Sequence, residues 1–260
     1  MAGGTVLVAR DGPLATLTLS SPGRMNALDK AMWARLGEAL GKLGADDALR
    51  CIVLRGDGDK AFAAGADIAE FKNERANSAQ AKAYSRGGIG WMHAVAECRH
   101  PTVALIQGAC VGGGLLIASQ CDLRICNESA RFGVPVKNLG LTESYDELQA
   151  MMRVAGPAAS LELLLEGRIW DAREAYEKGL VSRVVADDKV VEEAYAAARR
   201  IAEGAPLVAR WHKKFVRRLL DPRPLTDAER DEGYACFDTE DFREGVAAFL
   251  AKQKPRFEGR

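Results

Sequence analysis

The sequence lacks the features that mark several large classes of protein. Its 36 lysines and arginines balance 36 aspartates and glutamates, so a net charge of zero gives no electrostatic basis for binding nucleic acid. No apolar run reaches the roughly 18 residues of a membrane-spanning helix, because Gln107 and several glycines interrupt the longest one. The first residues lack the basic start and long apolar core of a secretory signal. We therefore expect a soluble, cytoplasmic protein with no nucleic-acid or membrane partner.

Cysteine and histidine are also used sparingly. The 6 cysteines form no CxxC pair, and the 3 histidines show no paired, metal-binding spacing. Thiols in apolar surroundings are typical of reduced, buried side chains in a cytosolic protein. We expect neither disulfides nor a metal site. The chain of 260 residues is long enough for one large domain, or for a domain with a subdomain.

The order of predicted elements indicates an α/β body followed by helices. Residues 5–10 and 14–20 flank a turn and predict a β-hairpin. Asp29 is a good N-cap for a helix that runs to about Gly44. Strands then alternate with helices, and beyond about residue 145 nearly every segment favours a helix. This order predicts an α/β fold with a helical C-terminal region.

The most informative segment is TVALIQGACVGGGLLIASQCD, residues 102–122. Its apolar start predicts an interior strand, and three glycines precede an apolar helix. Glycine has no Cβ, so the main chain can pass very close to another group. The first turn of a helix also exposes unpaired N–H groups and a partial positive charge. The segment therefore predicts a place to hold an anion or an oxygen that becomes one; the alternative is a flexible loop between two core elements.

A second segment of the same kind is KAFAAGADIAEF, residues 60–71. Ala63, Ala64, Gly65 and Ala66 form a run of minimal side chains after a predicted strand. One N–H group from each segment would converge on a single oxygen, which is the layout of an oxyanion hole. Each donor of such a hole is typically worth about 3–4 kcal/mol of barrier. The alternative is that small residues only let two backbones pack tightly.

Ordered motifs along nearly the whole chain resemble those of the crotonase superfamily, also called the enoyl-CoA hydratase/isomerase family. This resemblance implies a spiral of strand–strand–helix units, with an α/β core over residues 1–195 that carries the acyl-CoA site. It also implies a helical region over residues 196–260 that builds a homotrimer, often paired into a hexamer. The matching motifs are RMNALD (24–29), AFAAGADIAEF (61–71), PTVALIQGACVGGG (101–114), CDLRI (121–125), RFGVPVKNLGL (131–141), EAYEKGLVSRVV (174–185) and EGVAAFLAKQKPRF (244–257).

The resemblance also implies the substrate and a set of site residues. The substrate would be an acyl-CoA thioester, as in fatty acid metabolism, and no separate cofactor is expected because CoA is part of the substrate. By motif position, Ala66 and Gly113 would donate the two N–H groups that hold the thioester oxygen. Phe249 and Lys252 would reach the CoA of a neighbouring subunit. Four residues would lie along the CoA moiety: Arg24, Ala64, Asp67 and Ile68.

The sequence departs from the hydratases of this family at two positions. Hydratases carry two glutamates as acid and base around one water, and the motifs place them at Leu116 and Val136 of this chain. Neither leucine nor valine transfers a proton, and general acid–base help is worth about 10²–10⁴-fold per group. We therefore expect no efficient two-glutamate hydration. Leu116 and Val136 would instead line an apolar acyl pocket.

The acidic segment GLTESYDEL that follows offers a different carboxylate. Some isomerases of the family place a lone acid at the position of Ser144, which lies between Glu143 and Asp146 here. Either carboxylate, facing an apolar pocket, would have a raised pKa and suit a general base. The alternative is a helix start, with Thr142 or Ser144 as N-cap and with Asp146 and Glu147 in the first turn.

These observations predict an enzyme that acts on an acyl-CoA through an enolate. The leading prediction is isomerisation of an enoyl double bond with one carboxylate. A decarboxylase or a thioester hydrolase is a second possibility, since neither needs two glutamates. A few hydrolytic relatives have a pocket-facing histidine at the position of His93, but the favoured interpretation here is a surface or packed histidine. The third is an acyl-CoA-binding protein without catalysis.

Overall fold

The computed structural model describes residues 3–260, and it describes the side chains of all of these residues except 86–92. Ten strands and ten α-helices form the regular structure of this range. The strands are β1 (Thr5–Asp11), β2 (Leu14–Ser20), β3 (Cys51–Gly56), β4 (Ala61–Ala63), β5 (Thr102–Ile106), β6 (Ala109–Val111), β7 (Leu123–Asn127), β8 (Arg131–Gly133), β9 (Trp170–Asp171) and β10 (Arg183–Val185). The helices are α1 (Lys30–Gly44), α2 (Phe71–Glu74), α3 (Ser78–Glu97), α4 (Gly113–Gln120), α5 (Tyr145–Glu166), α6 (Ala172–Glu177), α7 (Val190–Ala202), α8 (Pro206–Leu219), α9 (Asp227–Glu232) and α10 (Glu240–Leu250). Short 3-10 helices cover Ile68–Glu70, Val136–Leu139 and Ala235–Asp238.

The strands form two sheets within the described residues. The larger has the order β1-β2-β3-β5-β7-β10, antiparallel between β1 and β2 and parallel elsewhere. The smaller has the order β4-β6-β8-β9, with only β9 antiparallel to its neighbour. From β3 to β8 the chain adds one strand to each sheet and then a helix. This is the predicted spiral of strand–strand–helix units.

The inner strands of the larger sheet are buried on both faces, whereas the edge strand β1 is largely exposed. Ile52 and Leu54 of β3 belong to the main hydrophobic core, whereas Val53 belongs to a second cluster on the opposite face. Such strands read as continuous apolar runs because neither face meets water. Helix α7 covers the second face with Val190, Ala194, Ala197, Ala198 and Ala202. The predicted boundary between residues 195 and 196 lies inside this helix, and the division of the chain there stays a prediction.

The C-terminal helices carry exposed apolar side chains. Phe249 is 82 % exposed and Leu250 is 77 % exposed at the end of α10, and Tyr234 and Phe237 before that helix are also exposed. Contiguous apolar surface of this kind often marks a protein–protein contact. Trimer formation through these helices stays a prediction.

Two aspartates, Asp29 and Asp122, fix the start of the first helix and of strand β7, and the first of them is the predicted N-cap. Asp29 caps α1, and its Oδ1 accepts a hydrogen bond from the Met32 N–H at 2.8 Å. Asp122 accepts hydrogen bonds from the Thr102 N–H at 2.8 Å and from Thr102 Oγ1 at 2.9 Å, and it pairs with Lys213 and Arg217 of α8. This network ties β7 to β5 and to the C-terminal helices.

In the part of the chain that the structure describes, no helix is long and apolar enough to cross a membrane. The same residues contain no group of three histidine, cysteine or acidic side chains that would hold a metal ion. The 6 cysteines are free thiols, and 5 of them are buried.

Candidate active site

The first candidate oxyanion donor is the N–H of Ala66. Leu28 brackets this residue, because the Leu28 N–H donates to the Gly65 carbonyl at 2.8 Å and the Leu28 carbonyl accepts from the Asp67 N–H at 2.9 Å. In such a parallel bridge the middle residue directs its own N–H away from the partner strand. Among the backbone hydrogen bonds that residues 3–260 form outside helices and strands, none is donated by the Ala66 N–H. This donor is therefore available to a ligand.

A tight turn holds the Leu28 segment in place. Met25 and Asn26 have positive φ angles of 50° and 57°, a conformation that asparagine tolerates better than most residues. The buried Asn26 amide donates to the Ala61 carbonyl at 2.8 Å and to the Asp57 carbonyl at 3.0 Å. The Ala64 N–H donates to the Met25 carbonyl at 3.0 Å. The RMNALD motif thus has a structural role, which is to position the backbone around Ala66.

The second candidate donor is the N–H of Gly113, the first residue of α4. Because it lies in the first turn, this N–H has no partner within the helix. Gly112 has a positive φ of 50°, and its own N–H donates to the Gly133 carbonyl at 2.8 Å. At Gly114 a Cβ would lie 2.4 Å from the Ala63 carbonyl oxygen, so only glycine lets α4 pack this closely on β4.

The two donors face the same space. A Cβ placed on Gly113 would lie 3.6 Å from the Ala66 nitrogen, and one placed on Gly65 would lie 3.7 Å from the Gly113 nitrogen. Both residues line a cavity of about 420 Å³. The structure therefore brings the two segments together at one cavity, and the binding of a single oxygen by both N–H groups stays a prediction.

The wall opposite the amides is largely apolar. Leu116 is buried on α4, and Val136 begins the short 3-10 helix after Pro135. Both side chains line the cavity, together with Leu139 and Leu141. The apolar lining predicted for these two positions is observed, and it lowers the local polarity around any charged group in the cavity.

Glu143 also lines the cavity, where it lies half-buried. Burial, repulsion by the Glu147 carboxylate and a hydrogen bond between the two carboxyl groups raise the pKa of Glu143 to about 8, and the Arg75 charge opposes this rise. The group therefore changes its charge close to neutral pH. A carboxyl with this property is suited to both accept and return a proton.

Glu147 lines the cavity as well, and it starts helix α5. The Ser144 N–H donates to Glu147 Oε2 at 2.6 Å, and the Glu147 N–H donates to Ser144 Oγ at 3.4 Å, which together form a capping box. The helix start considered for this segment is thus confirmed, with Ser144 as N-cap. The helix start does not exclude Glu143 from the cavity, because Glu143 immediately precedes the N-cap and lines the cavity.

Asp146 is not brought to the cavity. It lies in the first turn of α5 with its side chain 49 % exposed, and its Oδ1 is 3.9 Å from His93 Nε2. Successive residues of a helix point about 100° apart, so Asp146 and Glu147 face different sides. His93 lines a second, basic cavity instead, and Tyr145 beside Asp146 is 91 % exposed. The geometry thus separates the two base candidates and leaves Glu143 beside the amides.

The residues expected along the CoA moiety divide into two groups. Ala64 and Ile68 line the cavity, and Ile68 is 49 % exposed. Arg24 instead pairs with Asp67 and, at 3.2 Å, with Asp29. These contacts hold the 24–29 segment against the segment that contains Ala66.

Phe249 and Lys252 lie at the end of α10 and do not line the cavity of their own subunit. Contact of these two residues with a neighbouring subunit's CoA stays a prediction.

The cavity lining also contains polar and aromatic side chains that sequence reasoning did not assign to the site, among them Trp33, Arg75, Tyr84 and Glu147. Burial raises the pKa of Tyr84 to about 12. Trp33 and Tyr84 come from α1 and α3, which lie far from the glycine motifs in sequence. Only the packing of α1 on α3 brings them there, and no local pattern signals that packing.

Two neighbouring backbone amides beside an apolar cavity, on a spiral of strand–strand–helix units, have the layout of an oxyanion hole. A sequence profile of the family described as "Enoyl-CoA hydratase/isomerase" matches residues 10–260. The chain belongs to this family.

Individual relatives extend along nearly the whole chain. A Rhizobium meliloti protein described as "Probable enoyl-CoA hydratase" is 40 % identical over 98 % of both chains. A "Crotonyl-CoA hydratase" of Syntrophomonas wolfei is 32 % identical over 99 % of both chains. A crystal structure from Magnetospirillum magneticum, described as an enoyl-CoA hydratase/carnithine racemase, superposes with a TM-score of 0.97 at 50 % identity and covers 100 % of this chain and 97 % of that one.

Proposed function

We propose that this chain processes an acyl-CoA through a thioester enolate and that Glu143 is the carboxyl that moves the proton. The observation that carries the proposal is the shared cavity: Glu143 lines the same space of about 420 Å³ as Ala66 and Gly113. Family membership supports the class of substrate. The rest of the proposal follows from how these three groups act on a bound thioester.

The reaction that fits one carboxyl is the movement of an enoyl double bond. The Glu143 carboxylate takes a proton from C2 of a 3-enoyl-CoA, and the electrons of the C–H bond pass into the thioester, whose oxygen becomes negative. The N–H groups of Ala66 and Gly113 stabilise that oxygen. Glu143 then returns the proton to C4, which leaves a 2-enoyl-CoA and a regenerated carboxylate. Leu116 and Val136 keep water away from the enolate and take no part in proton transfer.

The test is turnover of a 3-enoyl-CoA by Glu143→Gln and Asp146→Asn variants. Glutamine keeps the size of the side chain and removes proton transfer, so kcat should fall by at least about 10²-fold. Asp146→Asn is the matched control, because this carboxylate lies outside the cavity, and its kcat should stay within about twofold of the parent. Equal rates for both variants and the parent would move the base elsewhere.

Hydration is a second candidate, because two carboxyl groups and not one line the cavity. Glu143 and Glu147 come from the start of α5, whereas the usual hydratase glutamates would occupy positions 116 and 136. In this candidate the oxygen of a water molecule attacks C3 of a 2-enoyl-CoA while Glu147 takes a proton from that water. Protonated Glu143 then delivers its proton to C2. The names of the relatives favour this candidate.

Crotonyl-CoA separates the two candidates. Hydration through the carboxyl pair requires both groups, so Glu143→Gln and Glu147→Gln should each lower the hydration rate by about 10²-fold or more. Isomerisation requires Glu143 alone and should survive Glu147→Gln at a reduced rate. Turnover of malonyl-CoA without either of these activities would instead favour decarboxylation or hydrolysis, and tight binding of CoA thioesters with no turnover would favour a binding protein.

We also propose that the protein acts in the cytoplasm as a homotrimer or a dimer of trimers. The exposed apolar side chains of α10 and the segment before it support an assembly through these helices. Light scattering coupled to size-exclusion chromatography should give three or six times the mass of 28.0 kDa. A mass of one chain would contradict this assembly.

A further inference from the structure

Among the residues whose side chains the structure describes, Arg75 is the one cation that lines the active-site cavity. It follows α2, and its guanidinium carbon lies 4.3 Å from the centre of the Tyr84 ring and 4.8 Å from the centre of the Phe71 ring. Within the described residues, its side chain makes no hydrogen bond of normal geometry and no ion pair within 4.0 Å. The buried Nε in particular has no partner.

Among the described residues, this cation has no paired counter-ion, which leaves its charge available to an anionic ligand. Neither carboxyl of the cavity forms an ion pair with it: Glu143 and Glu147 have no oxygen within 4.0 Å of the Arg75 nitrogens, and Glu147 Oε2 instead accepts the Ser144 N–H. Burial and the neighbouring carboxylate raise the pKa of Glu143 to about 8. The two aromatic rings hold the guanidinium by cation–π contacts but do not neutralise it. A buried or half-buried charge without a partner is unfavourable until one binds.

The location of Arg75 indicates which part of a substrate would meet it. Its charge acts on Glu143, and both groups share the cavity with Leu116 on the side expected to hold the acyl chain. Arg24, expected along the CoA moiety, is instead paired with Asp67 and Asp29. An anion that reaches Arg75 therefore belongs to the acyl group and not to the CoA phosphates.

We propose that Arg75 binds a carboxylate carried by the acyl group, so that the preferred substrates are CoA monothioesters of dicarboxylic acids. The planar guanidinium offers two parallel N–H donors, which match the two oxygens of a carboxylate. The proposal rests on the proposed function, because the acyl group reaches Arg75 only when Ala66 and Gly113 hold the thioester oxygen. It adds a substrate class to that function.

The experiment measures binding without turnover. The dissociation constants of glutaryl-CoA, pentanoyl-CoA and free CoA are determined by calorimetry for the parent, Arg75→Gln, Arg75→Lys and Arg173→Gln. Glutaryl-CoA and pentanoyl-CoA have the same number of acyl carbons and differ in the terminal carboxylate. Arg173→Gln is the matched control, since Arg173 is 87 % exposed, pairs with Glu177 and does not line the cavity.

The parent should bind glutaryl-CoA at least about tenfold more tightly than pentanoyl-CoA, which is the usual scale of one hydrogen-bonded charge pair. Arg75→Gln should abolish this preference and leave the affinity for pentanoyl-CoA and free CoA unchanged. Arg75→Lys should retain part of the preference because it retains the charge. This variant therefore distinguishes loss of the charge from loss of the packing around residue 75. Arg173→Gln should behave as the parent.

Equal affinity of the parent for the two thioesters would overturn the proposal and leave the proposed function intact. A loss of affinity for free CoA in Arg75→Gln would also overturn it, because the arginine would then contact the CoA moiety. Failure of every CoA thioester to bind the parent would overturn both this proposal and the proposed function.

Discussion

Two regions of the cavity are built in different ways. The oxyanion side consists of backbone N–H groups that glycines and alanines allow to converge, and its geometry depends on close contacts such as that of Gly114 with Ala63. The acid–base side consists of the side chains of Glu143, Glu147 and Arg75, which arrive from a helix start and a loop. The first region fixes the intermediate that can be stabilised, and the second selects the reaction carried out on it.

The oxyanion side should tolerate almost no change in volume. In Gly114→Ala the new Cβ would overlap the Ala63 carbonyl oxygen at 2.4 Å, so α4 must shift and carry the Gly113 N–H with it. We expect kcat/KM to fall by about 10²–10³-fold, as for loss of one oxyanion donor, and the free energy of unfolding to fall by about 1–3 kcal/mol.

The control for this variant is Gly41→Ala on α1, where a Cβ meets no atom within 4 Å. It should leave activity unchanged and raise the melting temperature slightly, because alanine favours a helix over glycine. Full activity of Gly114→Ala would show that the close packing of α4 on β4 does not position the donor.

The acid–base side should show itself in the pH profile. Isomerisation needs the Glu143 carboxylate, and burial with a neighbouring carboxylate raises the pKa of this group to about 8. The value of kcat/KM for a 3-enoyl-CoA should therefore rise about tenfold for each pH unit below about 8 and become constant above it. A rate that falls above pH 8 would show that the step needs protonated Glu143, and it would contradict the role of this carboxylate as the base.

Much of the fold could be predicted from the sequence, because hydrophobic runs and caps act locally. The hairpin of β1 and β2 and the cap at Asp29 follow directly from such patterns. Strands β4, β6 and β9 were not predicted: each has only two or three residues, too few to show an alternating pattern. The smaller sheet therefore emerged only with the tertiary structure.

Some residues of the candidate site could likewise be predicted from the sequence, and others could not. Ala66 and Gly113 follow from motifs whose backbone geometry depends on small residues nearby. The choice between Glu143 and Asp146 could not be made from spacing, because it depends on where α5 begins and on which side of its first turn each residue faces. Arg75 and Tyr84 could not be found at all, since their place in the cavity depends on how the α2–α3 segment packs against α1.

The last prediction concerns the pH dependence of stability. The Glu143 pKa is raised from 4.5 to about 8 in the folded chain, so the folded state holds this proton more tightly than the unfolded state. The contribution of Glu143 to stability is fully present below about pH 4.5 and is lost as the pH rises to about 8. The free energy of unfolding, measured with denaturant across this pH interval, should fall more steeply in the parent than in Glu143→Gln. Parallel pH profiles of this free energy in the two proteins would contradict the raised pKa.

The most direct test of the account is a crystal structure with a bound, unreactive acyl-CoA such as hexanoyl-CoA. We predict that the thioester oxygen lies about 2.7–3.1 Å from the nitrogens of both Ala66 and Gly113, with the Glu143 carboxyl facing the acyl carbons next to the carbonyl. A thioester bound away from either nitrogen, or a Glu143 side chain turned out of the cavity, would contradict the account.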